Sequence, residues 1–174
     1  MQITARPILL IAVVCLMAAC NVPDTTMENG AITLRGDTVT LHVDGKPKAV
    51  IDADGSFIVD GKTIATTPAE RQLLTRYVDG VRGVHATGVA MGKTGIGMAA
   101  KAVMAAASSS STATDKAADA DSDHMTSLSR QICMDTASIK AAQDQLAAQL
   151  DAFRPYAGIV AASDVADCQS NNKD

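Results

Sequence analysis

The chain has no tryptophan, only two tyrosines and two phenylalanines among 174 residues. Its 47% hydrophobic content is therefore mostly alanine and valine, and alanine buries little area. The core is expected to be thin for the length, so a covalent staple should matter. Basic charge is scarce as well: 15 Lys and Arg stand against 19 Asp and Glu, a net charge of -4. That balance argues against a nucleic-acid partner and against an electrostatic membrane patch. Long uninterrupted apolar runs are missing too. The stretch from Pro7 to Cys20 is shorter than the roughly 20 residues a spanning helix needs. Residues 84–107 are apolar for longer, but Lys93 and Lys101 would cost about 2.5–3.5 kcal/mol each near a bilayer centre. No transmembrane helix is expected.

What the front of the chain does have is a secretory pattern. Arg6 precedes a short apolar stretch that ends in small residues. Leu16-Met17-Ala18-Ala19-Cys20 looks like a lipobox, with Ala18 and Ala19 before the thiol to be lipidated, Cys20. Met17 departs from the leucine that many lipoboxes carry, and an ordinary signal cleaved after Ala19 is the alternative. Removing residues 1–19 takes away one basic residue and no acid, leaving 14 against 19 and a net -5. Cys15 leaves with the signal, so Cys133 and Cys168 remain as an even pair in an oxidising compartment. A disulfide between them would add about 3.5–4 kcal/mol in the chain-entropy model. A cysteine-based metal site is the rival reading, without a CxxC pair or a neighbouring His to support it.

Residues 20–30 read as a tether. Residues 31–104 read as a β-meander plus helix. Ile32 and Leu34, then Val39, Leu41 and Val43, alternate with polar residues at the period of a half-buried strand. Val50-Ile51, Phe57-Ile58-Val59 and Ile64 continue the series, and Gly36-Asp37, Asp44-Gly45, Asp54-Gly55 and Asp60-Gly61 supply hairpin turns. Four or five short antiparallel strands are expected. Thr67-Pro68-Ala69-Glu70 then opens a helix: a cap, a proline at the first position and a glutamate that can reach back. Its apolar stripe is Leu73, Leu74, Tyr77, Val78 and Val81, fit to cover one sheet face, with Gly80 and Gly83 weakening the end. Residues 84–107, with Gly88, Gly92, Gly95 and Gly97, read either as a glycine-punctuated strand or as a helix packed closely on the sheet.

Residues 105–123, rich in Ser, Ala and Asp, read as a mobile linker. In residues 124–174, Ile132, Ile139, Leu146 and Phe153 recur every seventh position along a helix that Pro155 should end near Arg154. The stripe marks either a core face or a coiled-coil seam. Bonding Cys168 to Cys133 would fold the tail back as a helical hairpin. The fold class is thus α+β: a small antiparallel meander packed by a capped helix, followed by a disulfide-braced helical hairpin.

Chemistry is harder to find. Gly92-Lys93-Thr94 lacks the first glycine of a phosphate-binding loop, since position 87 is threonine. Asp119, Asp121 and Asp123 open like a calcium loop, but His124 and Arg130 stand where glycine and glutamate are required. Asp52, Asp54 and Asp60 read as turn residues. His42, His85 and His124 have no nucleophile motif beside them. No catalytic residue, metal ligand or cofactor is assigned.

Residues 51–64 together with Leu73-Leu74-Thr75-Arg76-Tyr77-Val78-Asp79-Gly80-Val81-Arg82, and later Ile132-Cys133 with Phe153-Arg154-Pro155-Tyr156, resemble the YggN-like family of bacterial envelope proteins. The resemblance covers most of the chain beyond the signal, except the Ser-Ala-Asp stretch. It implies a periplasmic setting and no particular mechanism. The expected protein is a lipoprotein held to the membrane through Cys20, with Asn21 favouring the outer membrane because it is not the aspartate that retains lipoproteins at the inner one. Its expected role is non-catalytic binding of an envelope protein. The alternatives are an inhibitor or immunity protein against a periplasmic hydrolase and, less supported, a periplasmic enzyme.

Overall fold

The computed structural model describes residues 24–108 and 112–171. Six strands form one sheet in chain order: β1 (Thr25–Met27), β2 (Ile32–Arg35), β3 (Thr38–Leu41), β4 (Ala49–Ile51), β5 (Phe57–Val59) and β6 (Lys62–Ile64). Every neighbouring pair is antiparallel. Alternation puts Ile32, Leu34, Val39, Leu41, Ala49, Ile51 and Phe57 on the buried face. Thr33, Thr38 and Thr40 point the other way and are half-buried. The Asp60-Gly61 hairpin has φ of 50° and 72° at its two central residues, the positive pair that a type I′ turn needs.

The first strand lies inside the expected tether. Thr25, Thr26 and Met27 pair with Leu34, Thr33 and Ile32, and Met27 packs against the core. Three residues are too few to show alternation, so this strand is specified by the open edge of β2 more than by its own pattern. The meander therefore has six strands where the pattern predicts four or five.

Helix α1 (Pro68–Ser108) opens on the expected capping box. The Thr67 backbone N–H donates to Glu70 Oε2 at 2.7 Å, and the Glu70 N–H donates to Thr67 Oγ1 at 3.3 Å. Leu73, Leu74, Tyr77, Val78 and Val81 are all buried against the sheet. The β4–β5 loop lies directly on this helix: at Gly55, φ +78°, a Cβ would sit 2.6 Å from the Arg71 carbonyl oxygen.

Helix α2 (Thr112–Gln149) runs back antiparallel to α1, with Lys101 beside Asp121 and Gly80 beside Ile139. It ends earlier than expected. Leu150 turns extended (φ -117°, ψ 99°) and residues Asp151–Tyr156 form a 3-10 turn that contains Pro155. Phe153 and Tyr156, three residues apart within that turn, are both buried. Ile139, Leu146 and Phe153 are fully buried, so the seven-residue stripe is a core face. Helix α3 (Ala162–Ser170) then folds back on α2, joined by the Cys133–Cys168 disulfide with Cα atoms 5.5 Å apart.

Residues 84–107 lie within α1, so the helix reading holds and the strand reading does not. Only the start of the stretch packs at the sheet, with Val84 against the core and His85 bonded to Thr25, and the rest runs beyond it. At about 1.5 Å per residue, α1 with 41 residues and α2 with 38 are each close to 60 Å long, far longer than the sheet. Beyond His85 they form a two-helix arm. The stretch 105–123 belongs to its far end, in α1 up to Ser108 and in α2 from Thr112, rather than to a linker. Helix–helix registry overrides the weak local propensity of Ser and Asp there.

The glycines of α1 divide along this boundary. A Cβ at Gly80 would meet Ile139 Cγ1 at 2.6 Å, so Gly80 lets the two helices approach, whereas Gly92 has nothing within 4 Å. Gly80→Ala should therefore lower stability by about 1–2 kcal/mol, overpacking outweighing helix propensity, and Gly92→Ala should raise it by about 1 kcal/mol. Urea titrations followed by far-ultraviolet circular dichroism would show the opposite signs; equal shifts would refute the division.

The core gathers all four aromatic rings of the chain. Phe153 touches the other three, with ring centroids 5.7 Å from Phe57, 5.9 Å from Tyr77 and 5.8 Å from Tyr156. Sheet, α1 and the 3-10 turn meet at this one residue.

Candidate functional site

One end of the sheet carries a cleft of about 570 Å³. Three segments wall it: Glu28–Ala31 after β1, His42–Asp44 after β3, and Pro155 in the 3-10 turn with Gly158 and Ile159 after it. Each wall is held in place. Glu28 and Asn29 take left-handed backbone conformations, φ 51° and 53°, and Gly30 follows at 95°. Such geometry in non-glycine residues is costly and persists only where the surroundings impose it. The His42 N–H donates to the Ala31 carbonyl at 2.9 Å, joining the first two walls.

The third wall depends on Gln143, a fully buried glutamine of α2. Its Nε2 donates to the carbonyls of Ala157 at 2.7 Å and Val160 at 2.9 Å, and its Oε1 accepts from the Val160 N–H at 3.0 Å. A buried amide is tolerated in an apolar core when its hydrogen-bonding groups are used in this way. Tyr156, next to Pro155, ties the 3-10 turn to the β3–β4 loop, its hydroxyl donating to the Pro47 carbonyl at 2.7 Å.

Electrostatically the cleft is one-sided. Its charged lining groups are Glu28 and Asp44, with His42 Nε2 3.6 Å from Asp44 Oδ1, and among the described residues no Lys or Arg lines it. None of the ion pairs of the described residues includes Glu28. Burial, and then the nearby Asp164, push its carboxyl above the ordinary range. Asp164 is itself fixed at the start of α3, where its Oδ2 accepts the Ala161 N–H at 2.6 Å. The Tyr77 hydroxyl is fully buried without a partner, and burial, followed by Glu28, holds its pKa far above normal. A second hollow of about 350 Å³, on the outer sheet face, has the opposite sign: Arg35 and Lys48 line it among Thr33, Thr38 and Thr40. There Arg35 already donates two hydrogen bonds to Asp24.

The sequence-predicted residues fall as follows. Cys20 and the signal segment 1–19 lie outside the described residues. Cys133 and Cys168 are joined. The three histidines are dispersed: His42 at the cleft rim, His85 on α1 bonded to Thr25 at the other end of the strands, and His124 exposed on the arm. Gly92-Lys93-Thr94 is mid-helix, with Thr94 Oγ1 donating to the Ala90 carbonyl. Asp121 is paired with Lys101 at 2.7 Å. Asp54 organises its turn by accepting from Ser56 N at 2.9 Å and Oγ at 3.0 Å, bonds that lower its pKa. Among the described residues no three His, Cys, Asp or Glu side chains are grouped to hold a metal.

Sequence reasoning missed Glu28 and Gln143. Asn29-Gly30 is a turn signal that could have drawn attention to the first; nothing local distinguishes Gln143 from the other glutamines of α2. Comparison with protein-family models, curated proteins and solved structures returns no match for this chain.

Proposed function

We propose that this is a lipid-anchored protein of the bacterial envelope that works by binding another envelope protein. The observation that carries the binding role is the arm. The stripe of α1 that the sheet covers at Leu74, Val78 and Val81 continues at helical spacing through Val89, Ile96 and Val103. Ile96 is 74% exposed and Val103 71% exposed. Covering such a side chain fully is worth about 1.5–3 kcal/mol, stabilisation the isolated chain does not collect and a partner could.

The address rests on the lipobox-like Leu16–Cys20 stretch and on the resemblance to YggN-like envelope proteins. No described helix is long and apolar enough to cross a membrane, so attachment would fall to the acyl chains on Cys20. Asn21 favours the outer membrane.

Cys20→Ser should move the protein from the membrane pellet to the soluble periplasmic fraction; continued membrane partitioning would overturn the anchor. The same variant, oxidised, should capture a stoichiometric partner from envelope extract, and adding Ile96→Glu with Val103→Glu should abolish capture. A partner retained by the double variant would refute the arm as the docking element. The partner's identity separates an assembly role from inhibition of a hydrolase.

A further inference from the structure

We propose that the cleft at the end of the sheet binds a cation carried on an apolar stem, an aliphatic ammonium or a guanidinium group. The inference does not depend on the arm or on the anchor. Its first support is charge: Glu28 and Asp44 line the cleft, His42 stands at the rim, and no described lysine or arginine lines it to neutralise them. Glu28 is half-buried and also faces Asp164, so its carboxylate lies in a partly desolvated, negatively charged surrounding. An entering cation would offset the desolvation cost and the like-charge repulsion with its own charge.

The second support is shape. Val43, Pro155 and Ile159 add apolar surface to the same cleft, suited to a methylene stem. At about 570 Å³ the space falls in the range of organic-ligand sites and is far larger than a bare ion requires. Rigidity is the third. The Gln143 bonds and the Tyr156–Pro47 bond fix the apolar wall before any ligand arrives, which lowers the ordering cost of binding. The hollow on the outer sheet face, whose cations Arg35 and Lys48 would repel such a ligand, fails the same test.

The experiment is an NMR titration of the oxidised full chain, in non-ionic detergent, with four probes: N-acetyl-lysine methylamide, N-acetyl-arginine methylamide, cadaverine and the uncharged N-acetyl-citrulline methylamide. The cationic probes should give saturable amide shifts at Glu28–Ala31 and His42–Asp44, and the citrulline probe should not. Tighter binding of the capped amino acids assigns a basic peptide side chain; tighter binding of cadaverine assigns a free amine. Glu28→Gln should weaken binding about tenfold, as expected for loss of one charge-assisted contact, and Asp44→Asn only about two- to threefold, because the Asp44 side chain is fully exposed. Both are nearly isosteric, and an unchanged melting temperature would verify that the fold is intact. Citrulline shifts equal to those of arginine, unchanged affinity in Glu28→Gln, or no saturable shift up to about 20 mM probe would each overturn the proposal.

Discussion

Phe153→Ala should cost about 3–5 kcal/mol, a large share of the roughly 5–15 kcal/mol that holds a typical domain together. The ring is fully buried and is the one aromatic that touches all the others. Removing it leaves a void bordered by the sheet at Phe57, by α1 at Tyr77 and by the 3-10 turn at Tyr156. Three independently rooted elements cannot collapse into one gap without disturbing their other contacts, so the cost belongs in the upper part of the large-to-small range. The offset and edge-on ring contacts are worth a further 0.5–1.5 kcal/mol or so apiece beyond area. In a chain this poor in large side chains, little else can compensate. Urea denaturation should show a much lower midpoint with an unchanged slope; a shift below about 1 kcal/mol would mean that Phe153 is not the keystone.

Loss of the Cys133–Cys168 bond should be the second large effect. The bond spans a sequence separation of 35, for which chain entropy gives about 3.5–4 kcal/mol, and removal of native disulfides commonly costs about 2–5 kcal/mol. The consequence should also be local. Helix α3 buries no residue of its own, so without the bond it keeps only its Asp164 cap and its partly buried side chains against α2. A double Cys133→Ser, Cys168→Ser variant should therefore lose hydrogen-exchange protection over Ala162–Ser170 first, with the global unfolding free energy lowered by about 2–4 kcal/mol. An unaltered midpoint and intact protection in α3 would show that the bond is incidental to the fold.

Much of the fold was legible because its signals are local. Thr67, Pro68 and Glu70 sit within one turn and specify a helix start by chemistry that needs nothing else in the chain. The Asp-Gly pairs mark hairpins for the same reason, and the two cysteines follow from counting. The arm was not legible, since each glycine in a helix interior costs about 1 kcal/mol and four of them suggest interruption. The partnership with α2, seen in the arm as Lys101 meeting Asp121, outweighs that cost. The cleft was invisible for a different reason: its walls come from Glu28, His42 and Ile159, which only the completed fold brings together. Gln143 could not be singled out because its role lies in carbonyls of a loop beyond the helix that carries it.

The gathering of every aromatic ring at one junction also decides what light can report about this molecule. With no indole and both phenols in the cluster, tyrosine emission and the aromatic part of near-ultraviolet dichroism arise from a single spot where sheet, α1 and the 3-10 turn meet. The disulfide is the one other near-ultraviolet chromophore among the described residues, and it stands beside the root of the arm. The arm beyond His85 has no chromophore of its own except the peptide bond. Its helices could fray, splay or dock onto a partner while the aromatic signals stayed constant, so only the peptide-bond signal would report a change in the arm.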